Sequence, residues 1–150
     1  MKNIFDTTVI TELIERINKL TPATLPIWGK MNAAQMLAHC NVAYELVYDN
    51  KHPKPNFIQK IFINLFAKET VTGSKPYKKN QPTGPAFYIK GERDFSTEKN
   101  RLINHIKKTA ELGEAYFDSK ESHSFGKLSL TQWNTMFYKH LEHHLTQFGV

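Results

Sequence analysis

Leu128-Ser-Leu-Thr-Gln-Trp-Asn-Thr-Met-Phe-Tyr-Lys-His-Leu-Glu-His-His-Leu-Thr-Gln-Phe-Gly-Val150 reads as one long amphipathic helix. Ser129 and Gln132 stand three apart, the spacing at which each side chain can satisfy the other's backbone N–H at a helix start. No proline or glycine follows until Gly149, which suits a helix stop. Trp133, Met136, Phe137 and Phe148 are the large apolar residues. His140, His144 and Gln147 continue their stripe at i, i+3, i+4 spacing. Asn134, Lys139, Glu142 and Thr146 fall mainly off it. His140 and His144 lie one turn apart, so both rings can converge on one ion. His143 falls toward the edge of the stripe, beside Lys139 and Glu142, as a rim residue. Leu141-Glu-His-His144 has the look of a purification-tag scar, but Leu145 to Phe148 carry the helix on at proper spacing, so the segment reads as native.

A second helix is expected from Asn32 to Asp49, opened by the same capping spacing between Asn32 and Gln35. Met36, His39, Cys40, Ala43, Leu46 and Val47 form its apolar stripe, and His39 is the one strongly polar side chain within it. An unpaired buried imidazole costs roughly 1–3 kcal/mol. His140 and His144 pose the same problem on another helix, and one bound ion solves it for all three. Three neutral imidazoles with open positions left over are the pattern of a reactive rather than a structural metal. Imidazole ligands suit a divalent zinc, nickel, iron or manganese ion, or copper. Cys40 points about a quarter-turn from His39 and reads as an inert core thiol.

Length and composition frame the rest. A chain of 150 residues is expected to be one domain, residues 1–150, with a real core. One cysteine leaves no intramolecular disulfide and suggests a reducing compartment. The first residues lack an apolar signal core, and no run approaches the roughly 18 apolar residues of a membrane span. A cytoplasmic protein without a membrane partner follows as the expectation. The formal charge is +6 and the pI about 9.4, which favours anionic small molecules. The densest basic patch, Lys75-Pro-Tyr-Lys-Lys79, reads as an exposed loop. No nucleic-acid-binding motif or stacking-aromatic pattern accompanies it, so no nucleic-acid partner is expected.

Outward from the two histidine helices, a first helix is expected from about Thr8 to Leu20, with Val9, Leu13, Ile14 and Ile17 inside and Pro22 and Pro26 beyond its end. A shorter segment from Asn56 to Lys68 is unusually apolar and reads as a buried crossover piece or an interface, with binding to a membrane surface the weaker option for its length. Residues Thr70 to Asp94 form a turn-rich connection of the length that often walls a pocket. A further helix is expected from about Thr97 to Leu112, ended by Gly113, with Leu102, Ile103, Ile106 and Ala110 inside and His105 exposed. The loop from Gly113 to Leu128 carries His123, read as an exposed loop residue. The pattern is all-α: an antiparallel four-helix bundle with a long crossover connection and a short additional helix, an architecture that builds metal sites between facing helices.

Two segments carry a family resemblance: Trp28-Gly-Lys-Met-Asn-Ala-Ala-Gln-Met-Leu-Ala-His39-Cys40, and Trp133 through His140 and His144 to Gln147-Phe-Gly149. In these the chain resembles the DinB-like (DinB/YfiT-type) superfamily of metalloenzymes. The resemblance implies a four-helix bundle in which His39, His140 and His144 bind one divalent ion, with Gln147 in a supporting role. It also implies a homodimer, and a low-molecular-weight thiol cosubstrate, since some relatives transfer such thiols. The middle loops match no particular branch.

Two functions are therefore expected to compete. One is a metal-dependent enzyme acting on a small molecule: a thiol-dependent transferase, or else a hydrolase. No side chain stands out as a general base, since Glu45 and Glu142 point away from the histidine face, and this favours a nucleophile activated by the metal alone. The alternative is a non-catalytic small-molecule-binding or interaction module in which the metal site is vestigial.

Overall fold

Side-chain caps start each of the longer helices. In the computed structural model, which describes residues 1–49 and 51–150, Asp6 opens α1 (Thr7–Lys19) by accepting from the Thr8 amide. Reciprocal Asn/Gln or Ser/Gln caps open α2 (Ala33–Tyr48), α3 (Phe57–Phe66) and α6 (Leu130–Gln147). A short α4 (Lys68–Thr72) follows α3, and a single 3-10 turn spans Pro85–Phe87. Asp94 caps α5 (Phe95–Phe117), so this helix begins two residues before Thr97. A pair of two-residue antiparallel strands, β1 (Glu121–Ser122) and β2 (Gly126–Lys127), precedes α6. The described residues are thus mostly helical.

α5 does not stop at Gly113. That glycine takes a left-handed φ of 65°, open to a residue without a Cβ, and breaks the helical run. Phe117 lies beyond it, fully buried against Phe5, Trp133 and Phe137. Burial of that ring draws the chain back into one more helical turn. The loop expected after Gly113 therefore starts at Asp118.

α2 is the central element. It packs on α5 and α6 and under the 3-10 turn, while α1 packs on α5 and α6. A helix covered on several sides has no polar face, and α2 is buried from Ala33 to Glu45 except at Gln35. The single stripe expected for it holds at Met36, His39, Cys40 and Ala43. Leu46 and Val47 are only half-buried, and Leu37, Asn41, Tyr44 and Glu45 are buried as well. The inner face of α1 likewise shifts: Ile10, Leu13 and Ile17 are buried, and Val9 and Ile14 flank them.

The polar groups on the far side of α2 are paired, as burial requires. Asn41 donates to the Glu98 carboxylate (2.8 Å) and carbonyl (3.0 Å) and accepts from His105 Nδ1 (2.9 Å). His105 is half-buried on Tyr44, not exposed as its neighbours in sequence suggest. Arg101 bridges Glu98 and Glu45, and His52 meets Glu45 at 2.8 Å. No helix among the described residues is long and apolar enough to cross a membrane.

Candidate metal centre

His39 on α2 and His140 and His144 on α6 come together, each offering a ring nitrogen within 4.8 Å of the others. His39 and His144 are buried and His140 is half-buried. The ring centroids stand 4.5 to 4.9 Å apart. The other four histidines stay outside: His52 and His105 are held in the Glu45 and Asn41 network, and His123 meets Ser124 Oγ and the His52 carbonyl. His143 lies at the rim, its ring edge-on to His144 at 5.0 Å.

Hydrogen bonds set the tautomers. A carbonyl only accepts, so the 2.8 Å contact between His39 Nδ1 and the Phe87 carbonyl puts the proton on Nδ1. Nε2 of His39 then carries a lone pair. Gln147 Nε2 donates to the Trp28 carbonyl at 2.7 Å, which fixes its amide and presents Oε1 to His144 Nδ1 at 2.8 Å. His144 therefore also carries its proton on Nδ1 and a lone pair on Nε2. His39 Nε2 lies 3.0 Å from His140 Nε2.

Burial favours the uncharged rings. Desolvation, followed by the mutual repulsion of the imidazoles, holds His140 well below the ordinary histidine range. Burial first and His39 next take His144 down to about 3. Burial also lowers His39, partly opposed by the Phe87 carbonyl. Neutral imidazoles gathered with ring nitrogens within 4.8 Å of one another form a donor set for a cation. Two nitrogens each about 2.1 Å from one ion and at right angles would stand about 3.0 Å apart, so the His39–His140 separation fits.

The connection between α4 and α5 walls this point, as its length suggests. The Phe87 ring lies 5.3 Å from His39 and 5.7 Å from His140, and Tyr77 sits edge-on to His140 at 6.4 Å and to His143 at 5.5 Å. Beyond Tyr77 and His143 a cavity of about 490 Å³ opens, lined among others by Trp28, Lys79, Tyr138 and Glu142. The Lys79 ammonium stands 4.3 Å from the centre of the Trp28 ring.

Lys139 corrects the reading of α6. Its spacing places it off the buried face, yet it is 5% exposed. Its ammonium donates to the carbonyls of Thr70 (2.8 Å), Gly73 and Lys75 (3.2 Å). Glu142 does lie off the histidine face and pairs with Arg16 at 2.7 Å. Cys40 is a buried thiol that desolvation pushes far above its ordinary range, as expected of an inert one. The Phe87 and Trp28 carbonyls could not be found from periodicity, since both lie in the connections between the α-helices and act through the backbone.

A family model described as "Protein of unknown function (DUF1569)" matches residues 3–149. No curated protein and no solved structure matches.

Proposed function

We propose that this chain, which belongs to the DUF1569 family of proteins of unknown function, is a divalent-metal-dependent enzyme of the DinB-like kind. Its ligands are His39, His140 and His144, and its reaction is a thiol-dependent transfer or a hydrolysis on a small molecule. The observation that carries this reading is the pair of pinned tautomers. Phe87 and Gln147 hold the Nδ1 atoms of His39 and His144, which leaves a lone pair on each Nε2, and the three rings bring ligand nitrogens within 4.8 Å of one another. The mutual packing of α1, α2, α5 and α6 supports an antiparallel four-helix bundle as the frame.

An ion bound there, zinc, nickel, iron or manganese, would supply Lewis acidity, with a bound water lowered to a pKa near 7 or a bound thiol deprotonated. The chain's own residues do the positioning. Phe87 and Tyr77 keep bulk water from the histidines, while Lys79 at the cavity favours an anionic substrate or thiol. The one carboxylate on each histidine-bearing helix is engaged away from the histidines: Glu142 with Arg16, and Glu45 with Arg101 and His52. With neither of these carboxylates free to act as a base, thiol transfer is favoured over hydrolysis.

Elemental analysis of tag-free protein tests the site. About one equivalent of divalent metal is expected in the native chain, and none in His39→Ala or His144→Ala. Metal-loaded protein is then incubated with low-molecular-weight thiols and an electrophile such as a chloronitrobenzene. Metal binding without any metal-dependent conjugate would reject the transferase and leave hydrolysis to be assayed. No metal even after reconstitution would reject both. The cavity beside His143 supports a second reading, a non-catalytic small-molecule-binding module, which predicts ligand binding unchanged by His39→Ala.

A further inference from the structure

α3 carries six large apolar side chains on one face, and nothing within the described chain covers them. Phe57, Ile58, Ile61, Phe62, Leu65 and Phe66 are 45% to 78% exposed. The opposite face rests on the β1–β2 hairpin. Asn64 Nδ2 lies 3.3 Å from the Ser124 carbonyl, Lys60 faces Glu121 at 4.0 Å, and just past the helix Lys68 donates to the Phe125 carbonyl at 3.0 Å. The helix is thus held from behind with its apolar side outward. The segment is therefore no buried crossover, which leaves an interface or a lipid-facing surface as what its composition serves.

The order of residues points to what covers it. Read from its two ends, Phe57–Phe66 is a chemical palindrome. Phe57 matches Phe66, Ile58 matches Leu65, Gln59 matches Asn64, and Ile61 matches Phe62; Lys60 and Ile63 alone break the pattern, on the inner side. A surface that reads alike in both directions is self-complementary about a two-fold axis, where residue i meets j and j meets i. Ile58 and Leu65 are seven residues apart and point within about 20° of each other, along the midline of the face. We propose that α3 packs antiparallel on α3 of a second copy of this chain. Ile58 of one copy then meets Leu65 of the other at both ends, and Ile61 and Phe62 lie next to the axis.

Area and charge agree with this occupant. At their exposures the six side chains offer on the order of 800 Å² of apolar surface per copy, the share each partner brings to a standard stable interface and more than a monomer usually leaves open. No charged side chain interrupts the face. A helix lying on an anionic lipid surface would present its flanking lysines to headgroups, whereas Lys60 and Lys68 are turned to Glu121 and the Phe125 carbonyl.

Light scattering after size exclusion of the full chain at micromolar concentration tests the pairing. Wild type is expected at twice the chain mass. Ile58→Lys and Leu65→Glu should each run as monomers with unchanged helicity, because a lone charge would face an apolar residue at both ends. Their equimolar mixture should recover the dimer: the introduced lysine then meets the introduced glutamate at one end, and Ile58 meets Leu65 at the other. As a check independent of these variants, Phe62→Cys should oxidise in air to a covalent dimer that dithiothreitol reverses, while Gln59→Cys should not. A monomeric wild type, variants that remain dimeric, or a mixture that stays monomeric would overturn the pairing. So would a monomer that floats with phosphatidylglycerol vesicles and loses that binding in Leu65→Glu, which would assign the face to lipid.

Discussion

At the scale of residues, the histidines are set by groups that contain no histidine. Gln147 links His144 to the Trp28 carbonyl, so Gln147→Ala frees one ring while leaving all three histidines of the proposed site in place. Metal affinity is expected to fall about 10- to 100-fold, the usual effect of losing such a partner, read by competition with a chelator. Gly29 is coupled to the same link. It has a φ of 87°, and a Cβ there would lie 2.5 Å from Gln147 Nε2, so Gly29→Ala should weaken metal binding in the same direction. Tyr44 makes the opposite case. Its hydroxyl is buried with no hydrogen-bond partner among the described residues, although its ring stacks on Phe137 at 4.8 Å. Tyr44→Phe keeps the stacking and removes the orphan group. It should leave the fold unharmed or raise its stability by about 1 kcal/mol in denaturant melts; a loss of that size would show that the hydroxyl is satisfied.

At the scale of elements, the decisive pieces are the long connection after α4 and the helix face that receives it. Lys139 ties the chain at Thr70, Gly73 and Lys75 to α6, and the same connection then delivers Tyr77 and Phe87 to the histidines. Lys139→Met preserves most of the volume but leaves three carbonyls without their donor. A loss of about 1–3 kcal/mol is expected, together with faster proteolysis between residues 70 and 80; unchanged proteolysis would mean the segment is held elsewhere. The capping signals Ser129/Gln132, Asn32/Gln35 and Asn56/Gln59 are legible in the sequence because a helix start is a local event three residues long. Periodicity misplaces Lys139 because it reports a direction around an axis and not what arrives there from a loop more than 60 residues away.

At the scale of the whole molecule, the Glu45 network and the histidine cluster lie on different sides of α2 and should respond differently to pH. Burial pushes the Glu45 carboxyl up, but hydrogen bonds from His52 and Arg101 and the charges of Lys51 and Arg101 outweigh it, so the group sits below its ordinary range. A depressed carboxyl stabilises the fold fully above its unfolded value, about 4.3, and that contribution is lost as pH falls through the lower folded value. The stability gap between wild type and Glu45→Gln should therefore be level near neutral pH and close below roughly pH 4. Urea midpoints across that range decide it; a gap that persists at low pH would remove Glu45 as the titrating group.

The helices, their caps and the three inward-turned histidines are readable from the order of residues alone, because each depends on residues within one or two turns of one another. The same order marks Cys40 as core and the segment after Asn56 as unusually apolar. Tertiary packing was needed to show that α2 is covered on several sides, that Glu45, Asn41 and His105 form a paired network, and that α3 turns its apolar face outward. Packing also brings the Phe87 and Trp28 carbonyls to the histidine cluster, through His39 directly and through Gln147 to His144. Those outcomes depend on which elements meet, and a backbone carbonyl on a distant loop leaves no mark in the pattern of side chains.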